Sequence, residues 1–404
     1  MNKTPKLRFK EFSGEWEVKK LGCITTKVGS GKTPKGGNSV YTNSGVMFLR
    51  SQNVLKGKLN LNDVAYISEE INATMKSTEV HGDDILLNIT GASIGRSCNV
   101  PKDFPRANVN QHVCIIRLNE NYNSNFIMNQ IVSSKVQKQI DSYQAGGNRE
   151  GLNFEQIKNM KVSSTSIEEQ EKIASFFSLI DDKISLQSEK VEALKDYKKG
   201  MMQKIFSREL RFKDDEGRSY SEWEDNKLGK LIYEPLKLKE ESPESQELLT
   251  VKLHCLGIES TGKYPNSTKN GRPYYKRFNG ELLIGRQNLH NGGIGIVSDK
   301  CNGLIASNAI SSYLSKEGVN IGFIYYTISR SDYYKKIDLL IGGTGQKEIS
   351  KKELENLSIS IPSLEEQNKI VEFLRNLDIK LVKEQEKLNS LNEYKRGLLQ
   401  QMFV

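Results

Sequence analysis

Cysteine, histidine and tryptophan are scarce in this chain of 404 residues, which has five, four and two of them. The cysteines (Cys23, Cys98, Cys114, Cys255, Cys301) form no Cys-x-x-Cys pair and no even framework, which argues against a disulfide scaffold and for a reducing compartment. His81, His112, His254 and His290 are scattered, and none stands at metal-ligand spacing from a cysteine, so no zinc site is expected. Long apolar runs are absent too: nothing approaches the roughly 18 residues of a membrane span. Met1-Asn2-Lys3-Thr4-Pro5 does not begin a signal peptide, and the expected location is cytoplasmic. Catalytic signatures also fail. Gly29-Ser30-Gly31-Lys32-Thr33 imitates the end of a phosphate-binding P-loop, but Thr26 stands where that motif needs glycine. Asp83-Asp84 lies between a glycine and an apolar run, which reads as a turn into a strand rather than a metal site. No glycine-rich cofactor loop, amino-methyltransferase motif or nuclease carboxylate–lysine cluster is present, so neither catalysis nor a bound cofactor is expected of this chain.

What is present is a repeat. The segment from Ile167 to Ser207 recurs without a gap as Leu364 to Val404, an offset of 197 residues (364 − 167), with about two positions in five identical. Shorter echoes flank the regions between. Leu7-Arg8-Phe9 returns as Leu210-Arg211-Phe212, and Glu15-Trp16-Glu17 as Glu222-Trp223-Glu224, so the only tryptophans form a matched pair. Large aromatics at one point of both units are expected to be core anchors. Glycine-rich segments, 146–152 and 342–349, close each region. Elsewhere the repeat decays, so two constant segments alternate with two variable ones.

Each constant segment begins with a capping box, Ser166-Ile167-Glu168-Glu169 or Ser363-Leu364-Glu365-Glu366, in which serine and glutamate are expected to satisfy backbone donors reciprocally. An apolar seam in heptad spacing follows, from Ile173 and Phe177 to Ile205 and from Ile370 and Leu374 to Met402. It is interrupted by Gln187 and Lys198 in one copy and by Glu384 and Lys395 at the same places in the other. The seam predicts a helix in each copy, about 60 Å long for about 40 residues. Such a stripe needs a partner, and the other copy in antiparallel pairing is the nearest. Gly200 and Gly397 are read as close-packing sites inside these helices.

The variable regions read as mixed α/β, with strands at 46–50, 84–89, 113–118, 282–285 and 310–314 and helices at 124–139 and 320–336. Their Gly-, Asn- and Ser-rich connectors hold side chains suited to base edges and phosphates: Arg50, Gln52 and Asn53; Thr90, Ser93 and Arg96; Asn108, Asn110 and Gln111. In the second region Lys252, Arg286, Gln287, Asn288 and Asn308 occupy comparable settings. Arginine pairs bidentately with guanine, and asparagine or glutamine with adenine. Asn148-Arg149 and Gln346-Lys347, in the closing glycine loops, suit a phosphate. A net charge of +9 fits a polyanionic partner.

These residues, in this order and in duplicate, resemble the specificity subunit of type I restriction–modification enzymes. The carrying motifs are Leu-Arg-Phe…Glu-Trp…Leu-Gly, Phe48-Leu49-Arg50-Ser51-Gln52-Asn53-Val54, Gly82-Asp83-Asp84-Ile85-Leu86 running to Ile94-Gly95-Arg96, and two Glu-Glu-Gln-x-Lys-Ile helices. The second domain departs from the pattern at residues 280–286, so contacts carry over less directly there. The resemblance implies an α+β protein: two mixed α/β target-recognition domains (1–165 and 208–362) separated by two long antiparallel paired helices (166–207 and 363–404), related by a pseudo-twofold internal repeat. It further implies a non-catalytic, sequence-specific DNA-binding subunit whose domains each read half of a bipartite, asymmetric site in double-stranded DNA. The implied partners are two modification subunits, which bind S-adenosylmethionine and methylate adenine, and restriction subunits, which use ATP and Mg2+. Residues alone leave open a basic scaffold for other proteins, or an enzyme with an unfamiliar site. A phosphate-contacting reader loses orders of magnitude of affinity as salt rises, and a scaffold does not.

Overall fold

The computed structural model describes residues 4–34, 36–144, 151–266, 273–340 and 348–404. The chain divides into two compact units, residues 1–190 with 384–404 and residues 191–383. The long helices run Ile167–Phe206 and Leu364–Met402, so each unit holds the start of one and the end of the other.

In the first unit, strand Glu17–Lys20 pairs antiparallel with Lys161–Ser164. An antiparallel sheet follows in the order Thr25–Ser30, Val113–Leu118, Ile85–Asn88, Ser97–Asn99. A second sheet sets Ala65–Ile67, Val46–Leu49, Ala107–Val109 and Glu79–Val80 side by side. The second unit repeats the first pattern: Glu224–Lys227 pairs with Ser358–Ile361, and a sheet runs Ile232–Tyr233, Ile310–Ser315, Leu282–Gly285, Ile294–Ile296. It has no second four-stranded sheet among the described residues, and instead carries two strand pairs, Leu249–Val251 with Ile258–Ser260 and Tyr274–Lys276 with Ile305–Ser307. Each single helix expected at 124–139 or 320–336 is two helices, Ser124–Ile131 and Ser134–Gln144, or Ile321–Ile328 and Ser331–Leu340. Serine makes the break in both. The Ser133 hydroxyl donates to the Gln130 carbonyl at 2.6 Å and that of Ser329 to the Tyr326 carbonyl at 3.3 Å, tightening the last turn.

The capping boxes form by halves. Ser166 and Ser363 accept from the amides of Glu169 and Glu366. The glutamate side chains do not reach back to the cap, because their carboxylates are used elsewhere. Buried Glu169 takes a bidentate pair from Arg8, both contacts at 2.7 Å, the Trp16 indole N–H at 3.2 Å and the Thr165 hydroxyl. Glu366 does the same with Arg211, at 3.2 and 2.8 Å, and the Trp223 indole at 3.3 Å. The next residue is also turned inward: Gln170 joins Thr165 to the Asn123 amide, and Gln367 joins Pro362 to that of Asn320. The tryptophans are thus core anchors, as expected, and are also hydrogen-bonded to the helix start. Each core is closed by a helix end. Phe403 packs on Trp16, Phe126 and Phe177, and Phe206 on Trp223 and Phe323.

Antiparallel pairing of the helices is visible within each unit, and the polar interruptions of the seam set its register. In the first unit the Gln187 amide donates to the Glu384 backbone carbonyl at 2.9 Å and to its carboxylate at 2.7 Å, while Lys190 pairs with the same carboxylate at 2.6 Å. Lys395 pairs there with Asp181, and in the second unit Lys198 pairs with Asp378. Gly200 and Gly397 are not close-packing sites: a Cβ on either would meet nothing within 4 Å.

Glu169→Ala would remove the counter-charge of Arg8 and the acceptor of the Trp16 indole N–H, and should lower the stability of the first unit by about 1–3 kcal/mol in equilibrium denaturation followed by tryptophan fluorescence. A loss no larger than that of an exposed control such as Glu168→Ala would refute the role given to this carboxylate. Lys190, and then Gln187, hold the Glu384 carboxyl down to about 2, against an ordinary 4.5. A lowered carboxyl stabilises the fold above its ordinary range and loses that contribution as pH falls from about 4.5 towards 2. Glu384→Gln should therefore flatten this part of the acid limb of the pH–stability curve, read by thermal melts across that range.

Candidate nucleic-acid interface

In the first unit the strand Ile85–Asn88 is buried throughout, and its last residue organises the surface beyond it. The Asn88 side chain donates to the Ser51 and Val54 carbonyls at 2.9 and 3.3 Å, while its backbone bonds Gly95 and Arg96. The turn at 50–53 and the loop at 89–96 are thereby held together. The turn at 110–112 joins them: Asn110 bonds the Leu49 carbonyl through its amide and Gly31 through its own carbonyl, and the Ile89 amide bonds the His112 carbonyl. Gln52, Arg96 and Gln111 are exposed on this surface, and Arg50, Thr90, Ser93 and His112 are half-buried. Arg50 lies over the Tyr41 ring and 3.5 Å from Asp63, the acid that also holds the Gln52 amide. Gly31 is required where it sits, since a Cβ would fall 1.6 Å from the Val109 carbonyl oxygen. That close approach brings exposed Lys32 and Thr33 beside Asn110. The segment that fails as a P-loop therefore borders the candidate surface.

Two expected contact residues are corrected. Asn108 is fully buried; it accepts from the Thr78 hydroxyl at 2.6 Å and donates to Asn72 and the Met75 carbonyl, both at 3.0 Å. Asn53 is buried, accepting from the Arg50 amide and donating to the carbonyls of Asn60 and Asp63. Both amides are consumed in holding loops and have nothing left for a base. Asn110 is nearly buried, and its side-chain oxygen accepts from the His112 amide at 3.1 Å. Sequence reasoning passed over His112 as an isolated histidine; its position directly after Asn110-Gln111 and before a strand was the available signal.

In the second unit the turn Arg286–Asn291 follows the equivalent strand, Leu282–Gly285. Arg286 pairs with Glu348 at 3.0 Å, and Gln287, Asn288 and Asn308 are exposed. Lys252 pairs with Glu259 at 3.0 Å, and the turn after it bonds the Arg286–Asn291 turn through His254 to Asn291 and Cys255 to Gly292. Asn148, Arg149, Gln346 and Lys347 lie outside the described residues. Asp84 is buried against Arg117, with two contacts of 2.7 Å, and accepts from the His81 amide, so it shapes the turn into the strand. Among the described residues no three His, Cys, Asp or Glu side chains come together as a metal site, and no helix is long and apolar enough to cross a membrane.

One sheet pattern ending in reader-like loops, built twice on paired helices, coincides with a match to the family model described as type I restriction modification DNA specificity domain, over residues 13–196 and 252–393. The chain belongs to this family. It is similar to the putative type I restriction enzyme MjaX specificity subunit of Methanocaldococcus jannaschii, 26% identical over 381 residues that cover 91% of this chain and 88% of the relative. The MjaVIII specificity subunit of the same organism is 26% identical over 238 residues, covering 55% and 56%. The fold is that of the type I S subunit from M. genitalium, with a TM-score of 0.61, 16% identity and 99% of both chains covered. A further type I restriction–modification structure aligns at a TM-score of 0.53 and 15% identity, over 97% of this chain and 98% of the other. In this specificity subunit the two domains supply DNA-sequence recognition to a type I complex, and the reactions belong to other subunits.

Buried and exposed members of the interface should separate on mutation. Asn108→Ala leaves the buried Asn72 side-chain oxygen without its donor and should lower the unfolding free energy by about 1–3 kcal/mol. Arg96→Ala should leave the melting temperature unchanged, weaken DNA binding and reduce its salt slope by about one unit. Melts and salt-titrated binding of both variants check this; a melting loss for Arg96→Ala would place that side chain in the fold rather than on the DNA.

Proposed function

We propose that the two domains read two different halves of one bipartite, asymmetric site in double-stranded DNA, and that partner subunits then methylate adenine or restrict there. The observation carrying this reading is that equivalent sheets end in chemically unlike loops: Thr90, Arg96 and Gln111 in the first unit, Arg286, Gln287 and Asn288 in the second. Unlike readers give an asymmetric site, and identical ones a palindrome. The net charge of +9 supplies the phosphate attraction common to any duplex.

Two modification subunits would dock on the helices, bringing S-adenosylmethionine, and restriction subunits would bring ATP and Mg2+. Supporting this, the helices carry large apolar side chains that the seam does not use. Leu179 and Leu186 are 69% and 66% exposed in the first unit, and Ile379 and Val382 are 58% and 55% exposed in the second.

Replacing residues 222–360 with the corresponding segment of a relative should change one half-site and leave the other as it was. Mapping adenine methylation in DNA exposed to the chimera with its modification partners tests this. A change in both halves would show that the domains do not read independently.

A further inference from the structure

Three side chains at the centre of the first domain's surface form a chain of contacts. Thr90 Oγ1 lies 2.7 Å from His112 Nδ1, and Gln111 Nε2 lies 3.3 Å from His112 Nε2. The His112 backbone is held as well, since its amide donates to Asn110 Oδ1 at 3.1 Å and its carbonyl accepts from Ile89 at 3.0 Å. With Gln111 Nε2 as the donor, Nε2 of the ring is the acceptor. The ring proton then sits on Nδ1 and is donated to the Thr90 hydroxyl. Two consequences follow. The Thr90 O–H is left free to donate outward. Gln111 keeps its Oε1 and a second N–H without partners among the described residues, and those two atoms make the bidentate pattern that suits the N6 and N7 edge of adenine.

We infer that His112 is a specificity-determining positioning residue: it fixes which way the Gln111 amide faces, so that Gln111 presents an acceptor and a donor to adenine in the half-site read by this domain. The inference rests on the proposed reading of the domain as a DNA reader. With the opposite amide orientation the donor and acceptor exchange places, and the match to adenine is lost.

The test uses the full chain assembled with its modification partners, and measures binding and methylation on duplexes carrying each base pair in turn across the half-site. Gln111→Ala should relax discrimination at one base pair by about 10-fold or more. His112→Asn retains a partner for Thr90 but cannot reach Gln111, and should relax the same base pair with no loss at others. His112→Gln, which places an amide near the Nε2 position, should restore discrimination there. Combining Gln111→Ala with His112→Asn should add nothing to Gln111→Ala alone, because both act through one contact. Relaxation by Gln111→Ala with wild-type discrimination in His112→Asn overturns the inference and leaves the reader intact. Wild-type discrimination in Gln111→Ala itself also overturns it. Absence of any sequence preference in the wild-type complex would instead defeat the reading on which it rests.

Discussion

A buried carboxylate at the start of each long helix, Glu169 or Glu366, is the constraint on which the architecture depends. A carboxylate taken from water is tolerated only when charge and hydrogen bonds replace its hydration. Here one arginine and one indole meet that need, and both come from the segment that leads into the variable domain. The contact therefore joins three things at a point: the chain's approach, the helix start and the domain core. Because it is built twice with the same residue types, whatever lies between the two copies can diverge while the frame stays constant.

The helix pair obeys a similar rule. An uninterrupted apolar seam would let one helix slide along the other by a heptad at little cost, whereas a polar group in the seam is satisfied in only one register. Gln187 meets Glu384, the residue at its own place in the other copy. Lys395 with Asp181, and Lys198 with Asp378, are the flanking equivalents. The interruptions that look like defects in the seam specify its alignment.

At the candidate interface the same polar residue type serves two ends. Asn53, Asn88 and Asn108 are buried and tie loops to strands, which gives the exposed Gln52, Arg96 and Gln111 a stiff base. Reading a base edge demands such stiffness, since a misplaced donor costs its hydrogen bond and leaves a desolvated partner. The second domain reaches a comparable surface with arginine and glutamine on the strand-following turn, where the first has isoleucine and threonine.

Much of the frame was legible in the residues. The offset repeat, the heptad seam and the paired tryptophans follow from local periodicity and side-chain class, which a linear chain displays directly. The loops that belong to the reader were legible as clusters, because turn residues and amide side chains crowd there. What tertiary structure alone decided was the use of each side chain. Asn108 and Gln111 look alike in sequence, yet one faces Thr78 in the interior and the other faces outward beside His112. Glu169 reads as half of a capping box until Arg8, 161 residues away, claims its carboxylate. Gly31 reads as part of a failed phosphate loop until the Val109 carbonyl occupies the space of a Cβ. Each of these outcomes depends on which distant group competes for a donor, an acceptor or a volume. Only the folded chain sets that competition.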